Sequence, residues 1–155
     1  MATNTLLQRL DPSADTTGSS TAASNRRQIE EFLSSAAIVA GDVVGLDNTK
    51  TGSDRALYVK QAAAVANGNS LAVGVALDAA AGAEERVRVV VAGYVEGVNC
   101  TAGAVSTGLA VTAGVAAGQI QNAVAGDLAG AFGVALEAKG ATTANKAAIS
   151  IFKRF

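Results

Sequence analysis

The chain has 155 residues, 50% of them hydrophobic, and contains no histidine and no tryptophan. Without histidine it lacks the commonest general acid or base and the commonest metal ligand, so the composition argues against an enzyme and against a bound metal or other cofactor. The formal net charge of −1 gives no electrostatic reason to expect nucleic acid or an anionic membrane surface as a partner.

Residues 1–24 are predicted to be a flexible N-terminal arm. After Leu10 this segment is rich in Ser, Thr, Asp and Gly, so it cannot bury enough apolar surface to fold by itself. Leu6, Leu7 and Leu10 nevertheless form an apolar cluster at its tip. Two interpretations stay open: a frayed terminus, or an arm that docks these leucines onto a partner. No basic segment followed by an apolar one is present, so we expect no secretory signal.

Residues 25–36 are predicted to form a short amphipathic helix. Ile29, Phe32 and Leu33 recur at positions i, i+3 and i+4, the spacing of one helical face. Asn25 and Gln28 stand where an N-cap and its capping-box partner belong. The pattern therefore predicts an apolar helical face between the arm and the rest of the chain.

From residue 37 to 155 every periodic segment is strand-like. Val43, Val44 and Leu46 follow a glycine turn, and the Asn-Gly dipeptide at 67–68 is a strong turn signal. A series of short strands with closely spaced turns predicts a mainly β fold, either a compact β-sandwich or a partly open β-barrel.

One phrase occurs twice in this β domain. Gly-Val-Ala-Leu-Asp at 74–78 returns as Gly-Val-Ala-Leu-Glu at 133–137, and each copy leads through a turn into an alternating apolar strand. Two copies are too few for a solenoid, which needs at least about three repeats. We therefore predict one β domain built from two related halves, about 38–96 and 104–155.

The apolar residues are mostly Ala and Val, whose small side chains bury little area at roughly 25 cal/mol per Å². A core made of them is thin, and assembly into a homo-oligomer is a common remedy. The one cysteine, Cys100, has no disulfide partner in the chain and no histidine to activate it, so we expect a small buried apolar residue.

The acidic residues do not form a pattern typical of a catalytic or metal site. Asp42, Asp47 and Asp54 are spaced too widely for a calcium loop. Glu84 and Glu85 are adjacent, so on a strand they would point to opposite faces. We therefore predict no enzymatic activity, no cofactor and no metal.

Several segments in order carry a resemblance to a known group: Ala-Gly-Asp-Val-Val at 40–44, Asn-Gly at 67–68, Gly-Val-Ala at 74–76, Val-Arg-Val at 87–89 and Gly-Tyr-Val at 93–95. Over about residues 38–155 the chain resembles the decoration (cement, head-stabilising) proteins of tailed-phage capsids. The resemblance implies a compact β protein, a trimer or dimer, that sits on the outer capsid surface of the virion and clamps neighbouring subunits of the major capsid protein. Such a protein would be made in the cytoplasm of the host bacterium.

The resemblance also implies roles for two sets of residues. The expected capsid contacts lie in the arm: Leu6, Leu7, Arg9 and Leu10. The expected hinge or trimer element is the predicted helix, through Ile29, Phe32 and Leu33. Symmetric repetition on a shell would multiply a modest contact by avidity.

Other classes of function remain as alternatives. A domain of a trimeric phage head or tail fibre would also be a β protein without catalytic residues, although shaft repeats and a longer chain would be expected. A small-ligand binder would need an apolar pocket with converging polar groups, which a sequence alone does not show.

Overall fold

The structure, a computed structural model, describes residues 27–62, 72–100, 105–124, 130–139 and 146–152. Within these ranges the chain is mainly β, as predicted from the sequence, and a 3₁₀ helix, Gly52–Ala56, lies between the second and third strands. The described strands, in chain order, are β1 Arg27–Ser34, β2 Val43–Leu46, β3 Tyr58–Gln61, β4 Ala72–Ala76, β5 Arg86–Asn99, β6 Ala110–Ala113, β7 Ile120–Asn122, β8 Gly133–Ala135 and β9 Lys146–Ile151.

The first five strands close into a barrel, which we call the first ring. Its order is β1-β3-β2-β4-β5, and β5 pairs back onto β1. The β1–β3 pair is parallel and the others are antiparallel. Because the circle of strands is complete, this part of the fold is a closed barrel, neither a sandwich nor a partly open barrel.

The prediction of a helix over residues 25–36 is wrong for the described residues 27–36, because residues 27–34 form strand β1. This strand pairs antiparallel with β5 from Arg27 opposite Gly93 to Leu33 opposite Arg86. Backbone pairing with a long neighbour outweighs the local helical spacing. Gln28, expected to cap a helix, instead donates a hydrogen bond from Nε2 to Glu30 Oε1 at 2.8 Å.

Strand β5 is long because it serves two sets of neighbours. Up to Gly93 it pairs with β1 or β4, and from Gly93 onward it pairs with β9. The sheet then continues from β9 through β8 and β6 to β7. One parallel bridge joins Cys100, directly after β5, to Ile120 of β7. The second part of β5 with β9, β8, β6 and β7 therefore forms a second ring.

The strand pairings of the second ring repeat those of the first, except where a bulge between Val95 and Val98 shifts the register of β5 against β9. Strands β6, β7, β8 and β9 pair as β2, β3, β4 and the first part of β5 do. The second part of β5 takes the place of β1: Asn99 lies opposite Lys146 as Leu33 lies opposite Arg86. Even the isolated bridges correspond, Ile38 with Ala80 and Val105 with Lys139.

The repeated sequence phrase falls on equivalent strands, β4 and β8. Its last residue is acidic in both copies because it has the same contact in both. Asp78 Oδ2 accepts a hydrogen bond from Arg88 N at 3.2 Å, and Glu137 Oε1 accepts one from Ala148 N at 2.8 Å. The two halves predicted at 38–96 and 104–155 stay a prediction as domain boundaries.

The buried side chains form two clusters, one inside each ring. The first contains Phe32, Val44, Val59 and Val89. The second fills the equivalent positions of the second ring and also includes residues from the outside of the first ring. Its members inside the second ring include Val98, Val105, Val111, Ile120, Phe132 and Ile149. The second cluster thus packs the two rings against each other.

Among the described residues, no helix is both long enough and apolar enough to cross a membrane.

Candidate functional site

The two rings meet at a junction where the turn before β2 enters the end of the second ring. Asn99 N donates a hydrogen bond to Gly41 O at 2.9 Å. Val43 N donates to Gly118 O at 2.7 Å, and Gly118 N donates to Ala62 O at 2.8 Å. These backbone hydrogen bonds join the two rings into one continuous network.

The junction also explains why, among the described residues, a single bridge joins β5 to β7 where the second ring closes. In the first ring, Leu33 N donates to Leu57 O at 2.8 Å and so joins β1 to β3. Their equivalents in the second ring are Asn99 and Gly118. Asn99 instead bonds to Gly41 in the inserted turn, and Gly118 bonds to Val43 and Ala62 of the first ring. Among the described residues, the closing bridge therefore forms at Cys100.

Asp42 joins the rings through its side chain. The residue is 3% exposed, and its Oδ1 accepts a hydrogen bond from Asn99 Nδ2 at 2.7 Å. Its Oδ2 accepts from Gln61 Nε2 at 2.6 Å and from Val39 N at 2.8 Å. A buried carboxylate needs such partners, because burying a charge without them is costly. This carboxylate is therefore a structural group of the junction.

Glycine is required at two positions of the junction. A Cβ atom on Gly41 would lie 2.2 Å from Gly97 O, and one on Gly118 would lie 2.7 Å from Asp42 Cγ. Both glycines also have positive φ, +92° and +76°. Any side chain here would therefore separate the rings as well as strain the backbone.

The outer faces of the two rings are equivalent in register but differ in burial. A row of three residues crosses neighbouring strands in each ring, Val43, Val75 and Val90 in the first and Ala110, Val134 and Ser150 in the second. The first row is 0% exposed and belongs to the cluster that packs the rings together. The second row is only half-buried. The outer face is therefore covered in the first ring and partly open in the second.

Larger apolar side chains surround this open row. Leu109 occupies the turn position equivalent to Asp42 and is 48% exposed. Leu136 is equivalent to Leu77, which packs against the cluster between the rings, yet Leu136 is 45% exposed. We call the surface formed by Leu109, Ala110, Val134 and Leu136 the second-ring face.

The first ring carries an open groove at the end that corresponds to the junction end of the second ring. Its lining includes Phe32, Leu33 and Leu57, with the Glu31 and Arg86 side chains at its rim. Arg86 Nη1 lies 3.8 Å from Glu31 Oε2, an exposed ion pair of little energetic consequence. The groove holds about 210 Å³, less than the 300 to 1,000 Å³ of typical small-molecule sites. We call it the leucine groove.

The sequence-predicted site residues divide into two groups in the structure. The arm residues Leu6, Leu7, Arg9 and Leu10 lie outside the described residues. Of the predicted hinge or trimer element, Phe32 points into the first ring and is 9% exposed, whereas Ile29 and Leu33 face outward. Phe32 and Leu33 line the leucine groove, and Ile29 does not.

The charged groups with shifted pKa values have structural partners. Lys60 Nζ lies 2.8 Å from Asp47 Oδ1, and this bond holds the pKa of that buried carboxyl well below its usual range. The hydroxyl of Tyr58 donates to Glu84 Oε2 at 2.5 Å, which raises the pKa of Tyr58. Such ion pairs and hydrogen bonds fasten the turns of the first ring.

In the described ranges, no three His, Cys, Asp or Glu side chains come together in a group that could hold a metal ion. Cys100 is buried, as predicted, and burial raises the pKa of its thiol. It lies at the closing bridge of the second ring, where the equivalent position of the first ring is Ser34.

The second-ring face and the role of Leu57 were not predicted from the sequence. A signal was present in the two glycine turns, Gly41-Asp42 and Gly108-Leu109, which precede equivalent strands. Aligning these turns shows that an acidic residue in one copy is replaced by leucine in the other.

The comparisons with known proteins place the chain in no family. No protein-family model matches it, and no curated protein matches it.

Proposed function

We propose that this chain is a structural virion protein that binds the outside of a tailed-phage capsid and stabilises it by clamping neighbouring subunits of the major capsid protein. It acts as a homo-oligomer, most simply a trimer, and its N-terminal arm supplies capsid contacts through Leu6, Leu7, Arg9 and Leu10. It is made in the host cytoplasm and ends on the capsid surface. The mechanism is mechanical, because shell subunits that share a bound protein separate less readily than subunits that do not.

The observation that carries the proposal is the position of the residues on which the resemblance depends. The glycine turn at 40–42 forms the junction, and the Gly-Val-Ala segment at 74–76 lies in β4. A Cβ on Gly74 would lie 2.1 Å from Val90 O, so this glycine is needed for β4 to pack on β5. The resembling residues are therefore framework residues of this fold, as the resemblance would require.

The small cores of the two rings also favour assembly with other subunits. Each ring encloses a small core, and the open second-ring face adds apolar surface that a monomer leaves in water. Apolar surface of this kind favours assembly, at roughly 25 cal/mol for each Å² removed from water. The proposal therefore uses binding surfaces and requires no bond-making chemistry.

The test is sedimentation of the full-length chain with empty capsids of the phage that encodes it. We expect saturable binding at a fixed ratio to the major capsid protein and an increase in the temperature at which the capsids come apart. The variant with Leu6, Leu7 and Leu10 replaced by serine should bind at least about tenfold more weakly, since three apolar contacts repeated over a shell are lost. A Val115→Ser variant serves as the matched control, because it removes an exposed apolar side chain that lies outside both the arm and the second-ring face. Absence of binding by the unaltered chain would overturn the proposal.

A further inference from the structure

The internal junction shows how one ring of this fold receives another. The second ring binds the outer row of the first ring and its Gly41-Asp42 turn at an end formed by Asn99 and Gly118. We call the end formed by Asn99 and Gly118 the receiving end of the second ring. Because these positions and the outer rows have equivalents in the other ring, each ring has an outer row and a receiving end. Among the described residues, the outer row of the second ring and the receiving end of the first ring have no ring packed against them.

The two unused surfaces have leucines at the positions where the surfaces used inside the chain have an aspartate, an asparagine and a glycine. Leu109 stands in place of Asp42, and Leu33 and Leu57 stand in place of Asn99 and Gly118. Leu109 and Leu57 are each 48% exposed. A polar pair inside the chain is thus matched by a set of three leucines divided between the two unused surfaces.

We propose that the second-ring face of one copy docks onto the leucine groove of a second copy, so that copies of this chain assemble head to tail. Leu109 of one copy enters the groove between Leu33 and Leu57 of the next. The contact is made by side chains, because Leu33 N and Leu57 O already bond to each other and leave no room for an inserted turn. The groove's volume of about 210 Å³ suits one or two side chains better than a small-molecule ligand.

The symmetry of this contact follows from the two surfaces being different. A head-to-tail contact closes into a ring if its rotation divides a full turn, and otherwise it continues into a filament. With two rings per chain, a closed trimer would place six equivalent rings around one axis. The inference rests on the homo-oligomer of the proposed function but not on the capsid, and it names the two surfaces that meet.

Disulfide trapping in the full-length chain tests the contact. The proposed contact places the Leu109 side chain against Leu57, so cysteines at these two positions should approach closely enough for a disulfide. Leu57→Cys and Leu109→Cys are made separately in a Cys100→Ala background and mixed under mild oxidation. We expect a disulfide between the two different variants, and little with either variant alone. A Val115→Cys variant, exposed in the turn between β6 and β7 and belonging to neither surface, is the control for random collision.

A second variant measures the same contact without oxidation. Leu109→Asp introduces the residue found at the equivalent position 42, and its charge would be buried against the apolar side chains of Leu33 and Leu57 in the groove. We expect at least about a tenfold increase in the dissociation constant of the oligomer, measured by light scattering over a range of concentrations. Val115→Asp is the matched control and should leave the mass unchanged.

The outcomes separate this inference from the proposed function. Failure of the 57 to 109 disulfide in a chain that still forms oligomers would overturn the head-to-tail contact and leave the homo-oligomer standing. A disulfide between two Leu109→Cys copies would show a two-fold symmetric contact instead and would also overturn it. So would a disulfide from Leu57→Cys to a cysteine placed at Leu6, Leu7 or Leu10, since the arm would then fill the groove. A chain that stays monomeric at every concentration would overturn both the contact and the oligomer, whereas capsid binding is scored independently by sedimentation.

Discussion

Single residues in this protein have clear roles because the same position can be compared in two rings. Gly41 and Gly108 both have positive φ, +92° and +81°, and both donate a backbone hydrogen bond to the equivalent strand, β4 or β8. They differ in surroundings. A Cβ on Gly41 would overlap Gly97 O, whereas no described atom lies within 4 Å of a Cβ on Gly108. The pair therefore separates backbone strain from close approach of the rings.

We expect Gly41→Ala to destabilise the protein far more than Gly108→Ala. Alanine in the left-handed region costs about 1 to 2 kcal/mol at either position. At Gly41 the overlap with a backbone oxygen adds about 1 to 3 kcal/mol, because the rings must move apart to relieve it. Urea unfolding of both variants measures the difference. Equal losses would show that the junction does not constrain Gly41.

Asp47 is a second residue whose contribution can be isolated, this time through pH. The Lys60 hydrogen bond lowers the pKa of this carboxyl in the folded protein relative to the unfolded chain. A lowered folded pKa stabilises the fold above the unfolded pKa, and that stability is lost as the pH falls through the folded value. Thr49 N and Oγ1 also donate to Oδ1, at 3.1 and 2.9 Å.

We expect Asp47→Asn to lower the free energy of unfolding by about 1.5 to 3 kcal/mol at pH 7, the range for hydrogen bonds to charged groups. The difference from the unaltered protein should shrink below about pH 4, where the unfolded carboxyl of the latter becomes protonated. Urea titrations at several pH values test this. A difference that does not change down to pH 2 would contradict the role of the charge.

At the scale of elements, the equivalent strands β4 and β8 differ in what covers them. Val75 is fully buried between the rings, and Val134, its equivalent, is half-buried on the second-ring face. We expect Val75→Ala to cost about 2 kcal/mol, since it removes two methyl groups and leaves a cavity. Val134→Ala should cost less than half as much in a dilute, monomeric sample. Similar losses would mean that the second-ring face is covered within the chain.

The elements also show how far the sequence could predict the fold. The strands from β2 onward follow from alternating apolar residues and glycine turns, and the repeat at 74–78 and 133–137 marks equivalent strands. Strand β1 could not be predicted, because Ile29, Phe32 and Leu33 fit a helical face when read alone. Its structure depends on pairing with β5, more than fifty residues away in the chain.

The candidate surfaces were harder to predict than the strands. Phe32 and Leu33 were identified, but for a helical face, and only one of them points outward in the strand. Leu57 and Leu109 look like isolated exposed leucines in the sequence, and such residues are common on protein surfaces. They become meaningful only when the register shows that they replace Gly118 and Asp42.

At the scale of the whole molecule, the two rings should unfold as one unit although each has its own core. They share β5, the junction hydrogen bonds and a buried cluster that extends across both. We expect the second ring to be the weaker of the two, because the described part of its closing edge has one bridge, at Cys100, where the first ring has a paired β1 and β3. Its stability therefore depends on the turn that the first ring inserts at Asn99 and Gly118.

Removing the Asp42 carboxylate should break this coupling. Asp42→Ala leaves the half-buried amide groups of Asn99 and Gln61 without their Asp42 acceptor, which we expect to cost about 2 to 4 kcal/mol. Hydrogen exchange provides the measurement. In the unaltered protein the amides of β4 and β6 should exchange with the same opening free energy, whereas in the variant those of β6 should exchange first, because the second ring loses the turn that holds its edge. Asp42→Asn, which keeps one acceptor oxygen for Asn99, should lie between the two. Independent exchange of β4 and β6 in the unaltered protein would instead mean that the rings are separate folding units joined only through β5.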